Sequence, residues 1–482
     1  MRLKRLLILL LVILSACGRE PQPLALATLS VPIRQSEGVQ SLALTDLPRY
    51  NLALLARPQD STLAGRATIR YVNTAPAELR EVYLRLYPNM KMYGGRLDIM
   101  RVSVDGHDVP FVMAGKDTDL KVPLPRTLPP RRAALIEIDF SLRYQQLKGE
   151  YDFFGEKEGA IVLPDFYPIL APLIAGEWRL DPSPGYGDAA FSQVSLYELE
   201  ITVPEGYQAI APGSLSEQAN SDGSVTYHIA SGLSRNIGLV ITKGYEREEL
   251  SAGEVTLASY ALPQDRTAAR AALTHAAAAL AYCEQELAPY PNKQLTLVRV
   301  PLQLGNAQTS GLIFLGSKLF GENRPGLEQA VVIGVTRQWW GLTVGSDPLR
   351  DPWLDEALTT FTSFLYLRQT HGSQAAEAQE QSWRQVYEQA IKTGLDGPLA
   401  QPLAAYGNSA RYDMLVSNKG PLFWVEIEDL LGQEGALTIM RQLQRQYAYS
   451  FLDTADLNAT ISRLAGPPAT ALIEKWILGF QE

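Results

Sequence analysis

Two cysteines and four histidines are all that the 482 residues contain. Cys17 follows a leader and is expected to be taken by lipid, and Cys283 then has no partner, so a disulfide framework is excluded and stability must come from a buried core. Hydrophobic residues make up 46% of the chain, enough for two or three domains. His107, His228, His275 and His371 are scattered, and no two stand at the close spacing from which zinc sites usually draw ligands. Each is expected at the surface or at a helix cap. A basic excess is missing too. The net charge is -9, or about -12 once the leader's Arg2, Lys4 and Arg5 are removed, and such a surface repels nucleic acid and anionic lipid. No Gly-x-Ser-x-Gly elbow and no Gly-rich phosphate loop is present, which argues against an α/β-hydrolase or a nucleotide-binding enzyme.

What is there begins with the leader. Arg2, Lys4 and Arg5 precede the nine-residue apolar run Leu6 to Leu14, which is too short to span a bilayer and reads as a bacterial secretory signal over 1–16. It ends in Leu14-Ser15-Ala16-Cys17, which resembles a lipobox, so Cys17 is the expected lipidation site and first mature residue. Residues 17–44 are rich in Pro, Ser and Gln and read as a flexible tether. The implied location is the bacterial cell envelope, outside the cytoplasm, with the membrane reached through the lipid at Cys17.

From 45 to 248 short alternating runs recur between turn residues, among them ATIRYVN, EVYLRLY, AALIEIDFSLRY and IGLVITKGY, which predict a β-rich domain. After about 249 the composition turns helical: Ala268 to Leu287 is Ala-rich, and PLFWVEIEDLLG and ALTIMRQLQRQY carry helical periods. The expected fold class is therefore α+β and multidomain, with a second domain over 249–482.

The stretch Ala330 to Thr360 carries the chemistry: an apolar run into Gln338-Trp339-Trp340-Gly341, a polar turn, then Trp353-Leu354-Asp355-Glu356. It resembles the zinc aminopeptidase (gluzincin) family of aminopeptidase N and leukotriene hydrolase. There an H-E-x-x-H helix runs into Q-W-W-G or Q-W-F-G and a third ligand follows in W-L-N-E-G. Leu86-Tyr87-Pro88-Asn89, Phe166-Tyr167-Pro168, Gly187-Asp188 before Phe191, and Pro289-Tyr290-Pro291 extend the resemblance. It implies an N-terminal saddle domain and a thermolysin-like, mostly helical catalytic-type domain.

Under that resemblance the motif positions are Ile333 to Arg337, where both His ligands and the catalytic Glu are missing: Ile333, Gly334 and Arg337 stand in their places. Only Glu356, at the family's interval for the third ligand, remains. The family's G-A-M-E-N strand, which lies along bound peptide, corresponds to Gly305, Asn306, Ala307, Gln308 and Thr309, with Gln308 replacing the Glu that grips the α-amine. Ser363 stands where a further acid is usual, and Ser417 where the transition-state Tyr is expected. Tyr412, Trp339 and Trp340 read as packing residues. Asp355 and Glu356 are sequence neighbours pointing about a hundred degrees apart on a helix, which argues against a carboxylate dyad.

Local propensity conflicts with the resemblance at one place. Val331, Val332, Ile333, Val335 and Thr336 favour a buried strand and Gly334 weakens a helix, whereas the resemblance requires a helix. If the helix forms, Arg337 lies a turn after Ile333 and is expected to take Glu356 through two parallel hydrogen bonds, with Ile333 filling the first ligand's space.

Three functions remain open from the sequence: a non-catalytic lipoprotein that keeps the cleft for peptides or an envelope partner, an active metallo-aminopeptidase with a rebuilt zinc site, and a structural accessory subunit of an envelope or transport complex. No cofactor is expected under the first and third.

Overall fold

The computed structural model describes residues 32–147, 153–302, 306–321 and 326–479. The leader, Cys17 and Gly305 lie outside them. Among the described residues no helix is long and apolar enough to cross a membrane.

The alternating runs form the expected strands. Thr62–Val72 and Ala133–Arg143 pair antiparallel, Ala67 opposite Ile138, and sit centrally in an eight-stranded sheet. Alternate side chains such as Leu52, Ala67, Ile69, Ile136 and Ile138 point to one buried face, as a period of two requires. Local pattern does not give the order: Arg49–Arg57 pairs parallel with Leu196–Val203, joining segments far apart in sequence.

A second sheet of five strands opens the other domain: β1 (Glu246–Ala252), β2 (Val255–Ala261), β3 (Gln294–Val300), β4 (Asn306–Thr309) and β5 (Leu312–Gly316). Their order is β1-β2-β3-β5-β4, so β4 is an edge. The helices that matter for the site are α1 (Arg266–Glu286), α2 (Leu327–Thr336), α3 (Leu354–His371), α4 (Ser373–Lys392) and α5 (Gly420–Tyr447). The architecture is α+β, a β-rich unit followed by a mostly helical one.

The apolar segment after Gly326 is a helix despite its β-branched content. Leu327, Ala330, Val331, Val332 and Val335 are all buried, so packing on several sides outweighs a propensity cost of a few tenths of a kcal/mol per residue. Gly334 is needed there: a Cβ at this position would lie 2.7 Å from Ile313 Cγ2 on β5, so the absent side chain lets α2 lie close against the sheet.

Residues 32–44 correct the tether reading. Arg34 N–H donates to Pro291 O at 2.7 Å and Lys293 N–H to Pro32 O at 2.8 Å. The Arg34 guanidinium bonds Glu254 at 2.9 Å and also pairs with Glu284, and Ile33 and Val39 are buried. The segment is polar in composition, but these few anchors pin it to the second domain.

Asp165 is a buried carboxyl that accepts hydrogen bonds from Asn236 Nδ2 at 2.8 Å and Tyr93 Oη at 3.2 Å. Burial pushes its pKa up to about 7, with the two hydrogen bonds opposing. Since the folded value exceeds the unfolded one, the native state holds a proton that the unfolded state has released between about pH 4 and 7. This group's contribution to stability is therefore complete below that window and is lost as pH rises through it. Urea midpoints are expected to fall from pH 5 to pH 8, with Asp165→Asn flattening the slope; an unchanged slope in the variant contradicts this assignment.

Candidate functional site: an arginine-centred carboxylate cluster

Arg337 ends α2, and its side chain is only 8% exposed. Its Nη1 lies 2.7 Å from Asp355 Oδ2 and 3.5 Å from Asp188 Oδ2, while Nη2 contacts Glu356 Oε2. The pairing with Glu356 is present, but its expected form is corrected: the guanidinium bridges two carboxylates of α3 rather than gripping one with two parallel bonds. Asp355 and Glu356 share the first turn of α3, and their divergence lets one carboxylate take each Nη. Their shared contact with the guanidinium draws the two carboxylates together despite that divergence. Ser346 Oγ donates to the other Asp355 oxygen at 2.9 Å.

The electrostatics follow from burial. Desolvation opposes the Arg337 charge, but Glu356, Asp355 and Asp188 outweigh it and hold its pKa above the ordinary arginine value. Burial pushes the Asp355 carboxyl upward, with Arg337 opposing and the neighbouring Glu356 and Asp188 carboxylates adding. Asp188 is 64% exposed, so water screens its 3.5 Å contact and this arm is the weakest.

The other positions singled out in the sequence surround this centre unequally. Ile333 is half-buried and carries no donor atom; it lines a cavity of 560 Å³ with Val332, Thr360, Ser363, Phe364 and Trp383. Ser363 Oγ lies 3.0 Å from Thr336 Oγ1 and donates to Thr359 O at 2.9 Å, a neutral link between α2 and α3. On β4, Asn306 Nδ2 donates to Ala330 O at 2.5 Å, tying the edge strand to α2. Ala307 and Gln308 are half-buried and Thr309 is buried. Gln308 Oε1 has no hydrogen-bond partner, nor does Thr309 Oγ1. Ser417 is exposed on the wide turn Leu415–Lys419 and makes no hydrogen bond to the cluster.

Trp339 and Trp340 are core residues as expected, 1% and 0% exposed. Tyr412 packs edge-on to Tyr406 at 5.4 Å, as a packing residue should. It also borders the charges: burial first, then Glu356, Asp188 and Asp355, push its phenol well above the usual value, with Arg337 opposing. Sequence reasoning missed this border role, along with Asp188 and Asp355. Asp355 carried a signal, since the resemblance sets it where the W-L-N-E-G pattern has Asn and sets its partner Arg337 at the expected second ligand position. Asp188 carried none, because it reaches the cluster from the other domain.

Zinc does not fit these residues. Ile333 has no ligand atom, Arg337 is a cation, and its guanidinium already contacts the three carboxylates a metal would need.

Comparison with known proteins comes down to one match and a set of likenesses. Residues 272–476 match the Peptidase family M1 domain, a span that takes in α2, the Arg337 cluster and α3. Over that span, less than half of the chain, the sequence is similar to the M1 peptidases. Solved structures extend the fold likeness over both domains. The M1 zinc metallopeptidase from Deinococcus radiodurans has a TM-score of 0.68 at 17% identity, covering 90% of this chain and 94% of that one. A mutant of the same enzyme bound to a Tyr-Ser-Ala substrate has a TM-score of 0.66 at 18% identity, covering 91% and 95%. At that identity the likeness establishes the fold and nothing about chemistry. No curated protein sequence matches the chain.

Proposed function

We propose that this M1-like chain is a non-catalytic, lipid-anchored protein of the bacterial envelope that uses the peptidase cleft to hold peptides or an extended segment of a partner protein. The observation that carries this reading is the guanidinium of Arg337 lying among Asp355, Glu356 and Asp188. A nucleophilic water needs a metal or a base, and the second ligand position holds a cation while the catalytic Glu position holds Gly334. A Glu there must also displace Ile313.

Binding has better support. β4 is a sheet edge whose outer side can pair with an extended peptide, and Gln308 on that strand is a neutral amide where the resemblance expects a Glu. A neutral amide accepts an N–H without the charge that favours a free α-amine, so internal segments should bind about as well as N-termini. Incubation with a peptide library, followed by recovery of the retained fraction, tests this. Intact retained peptides support the reading; recovery of products shortened from the N-terminus overturns it.

Anchoring rests on the L-S-A-C end of the leader. Cys17→Ser is expected to move the protein to the soluble fraction or leave it unprocessed, and unchanged membrane association contradicts the anchor.

A further inference from the structure

The 560 Å³ cavity beside Ile333 is walled by α1, α2, α3 and α4, and among the described residues neither β4 nor any member of the Arg337 cluster lines it. It is a separate space. Val332, Ile333 and Leu367 give it apolar surface, and Phe364 and Trp383, both buried, add two aromatic rings 5.2 Å apart. Its one carboxylate is Glu328, in the first turn of α2, and no lysine or arginine lines it among the described residues. The contacts of that carboxylate all fall on one oxygen. Tyr366 Oη donates to Glu328 Oε1 at 3.4 Å, His371 Nε2 lies 3.0 Å from it and His275 Nδ1 3.7 Å. Oε2 has no hydrogen-bond partner among the described residues, and the side chain is 31% exposed.

We propose that this cavity binds a small organic ammonium with an aromatic body, the ammonium on Glu328 Oε2 and the body against Phe364 and Trp383. A space of 560 Å³ lies within the range of about 300–1,000 Å³ that encloses small ligands, and such sites combine apolar walls with a few placed polar groups. Charge decides the head group. A lining with one carboxylate and no lysine or arginine repels fatty acids and other anions, whereas an ammonium brings three donors and a full charge to a charge-assisted bond. The aromatic wall decides the body. Phe364 and Trp383 offer apolar faces and no acceptor for a sugar's hydroxyls, and Ser363 Oγ is already taken up by Thr336 and Thr359. The contacts on Oε1 hold the carboxylate in one orientation, so Oε2 is offered to a ligand with little further loss of side-chain freedom.

The test is calorimetric titration of the full chain with tryptamine, beside tryptophol, which has a hydroxyl in place of the ammonium, and indole-3-propionate, which has a carboxylate. One tryptamine is expected per chain, with tryptophol weaker by roughly tenfold or more and the propionate unbound. In Glu328→Gln, tryptamine should weaken by about the same factor while tryptophol is unchanged, a selective loss that a merely structural role does not produce. Thr360→Phe, which fills the half-buried wall of the cavity from α3, should abolish binding of both, with circular dichroism confirming the fold. Absence of binding at about millimolar tryptamine, equal affinity for tryptamine and tryptophol, or a Glu328→Gln variant that weakens both alike or neither overturns the site. A Trp-Gly-Gly peptide bound more tightly than tryptamine also overturns it, because the ammonium would then be a chain end. The peptide-holding reading is tested separately, since none of these variants alters β4 or the Arg337 cluster.

Discussion

Arg337→Ala is expected to lower the unfolding free energy by about 3–5 kcal/mol, because it strands a cluster of carboxylates around a gap. The guanidinium is the only cation in contact with Asp355, Glu356 and Asp188 among the described residues, and its side chain is 8% exposed, so water cannot replace it cheaply. Glu356→Ala should cost less, since Asp355 remains to meet the charge. The double variant should cost clearly less than the two singles added, as for any pair in direct contact. Chemical denaturation of the four proteins measures this. Additive losses mean that Arg337 and Glu356 do not depend on each other.

Arg235→Ala is the second large loss, by a different mechanism. Arg235 is buried with no carboxylate beside it. Its guanidinium donates to Leu342 O at 3.0 Å, Ser192 O at 3.0 Å, Thr343 O at 3.1 Å and Ser450 O at 2.5 Å, and lies 4.9 Å from the Phe451 ring centre. Burial alone lowers its pKa to about 9, which still leaves it charged at neutral pH. Ser192 belongs to the β-rich domain and the other carbonyls to the helical one, so one side chain ties the domains together. It also fixes the turn that follows Arg337. Removing it orphans Leu342 O and Ser192 O, leaves Thr343 O and Ser450 O with one backbone donor each, from Tyr449 and Gly345, and opens a cavity, and a loss of about 3–5 kcal/mol is expected. Arg235→Lys should recover only part, since one ammonium cannot reach all four carbonyls. A thermal midpoint within a degree or two of wild type in Arg235→Ala contradicts this account.

Much of the fold was legible in the sequence because alternation and helical period are local. AALIEIDFSLRY became the strand Ala133–Arg143, and the Ala-rich run became α1. Where the deciding force was non-local, residues alone pointed the wrong way. Val331 to Thr336 read as strand by propensity and is helix because nearly every side of it is buried; only the motif resemblance indicated so. Residues 32–44 read as tether from composition, although Arg34 and Ile33 suffice to dock them. At the site, the resemblance singled out Ile333, Gly334 and Arg337 as departures from the expected motif. What they had become was not legible, because Asp188 enters from another domain and Asp355 draws its role from a contact with Arg337.

The most direct test of the account is hydrolysis of chromogenic aminoacyl anilides by purified protein with added zinc, set beside metal analysis of the same protein. The account predicts no hydrolysis above a zinc-only control and no stoichiometric metal. Chelator-sensitive hydrolysis together with near-equimolar zinc would contradict it.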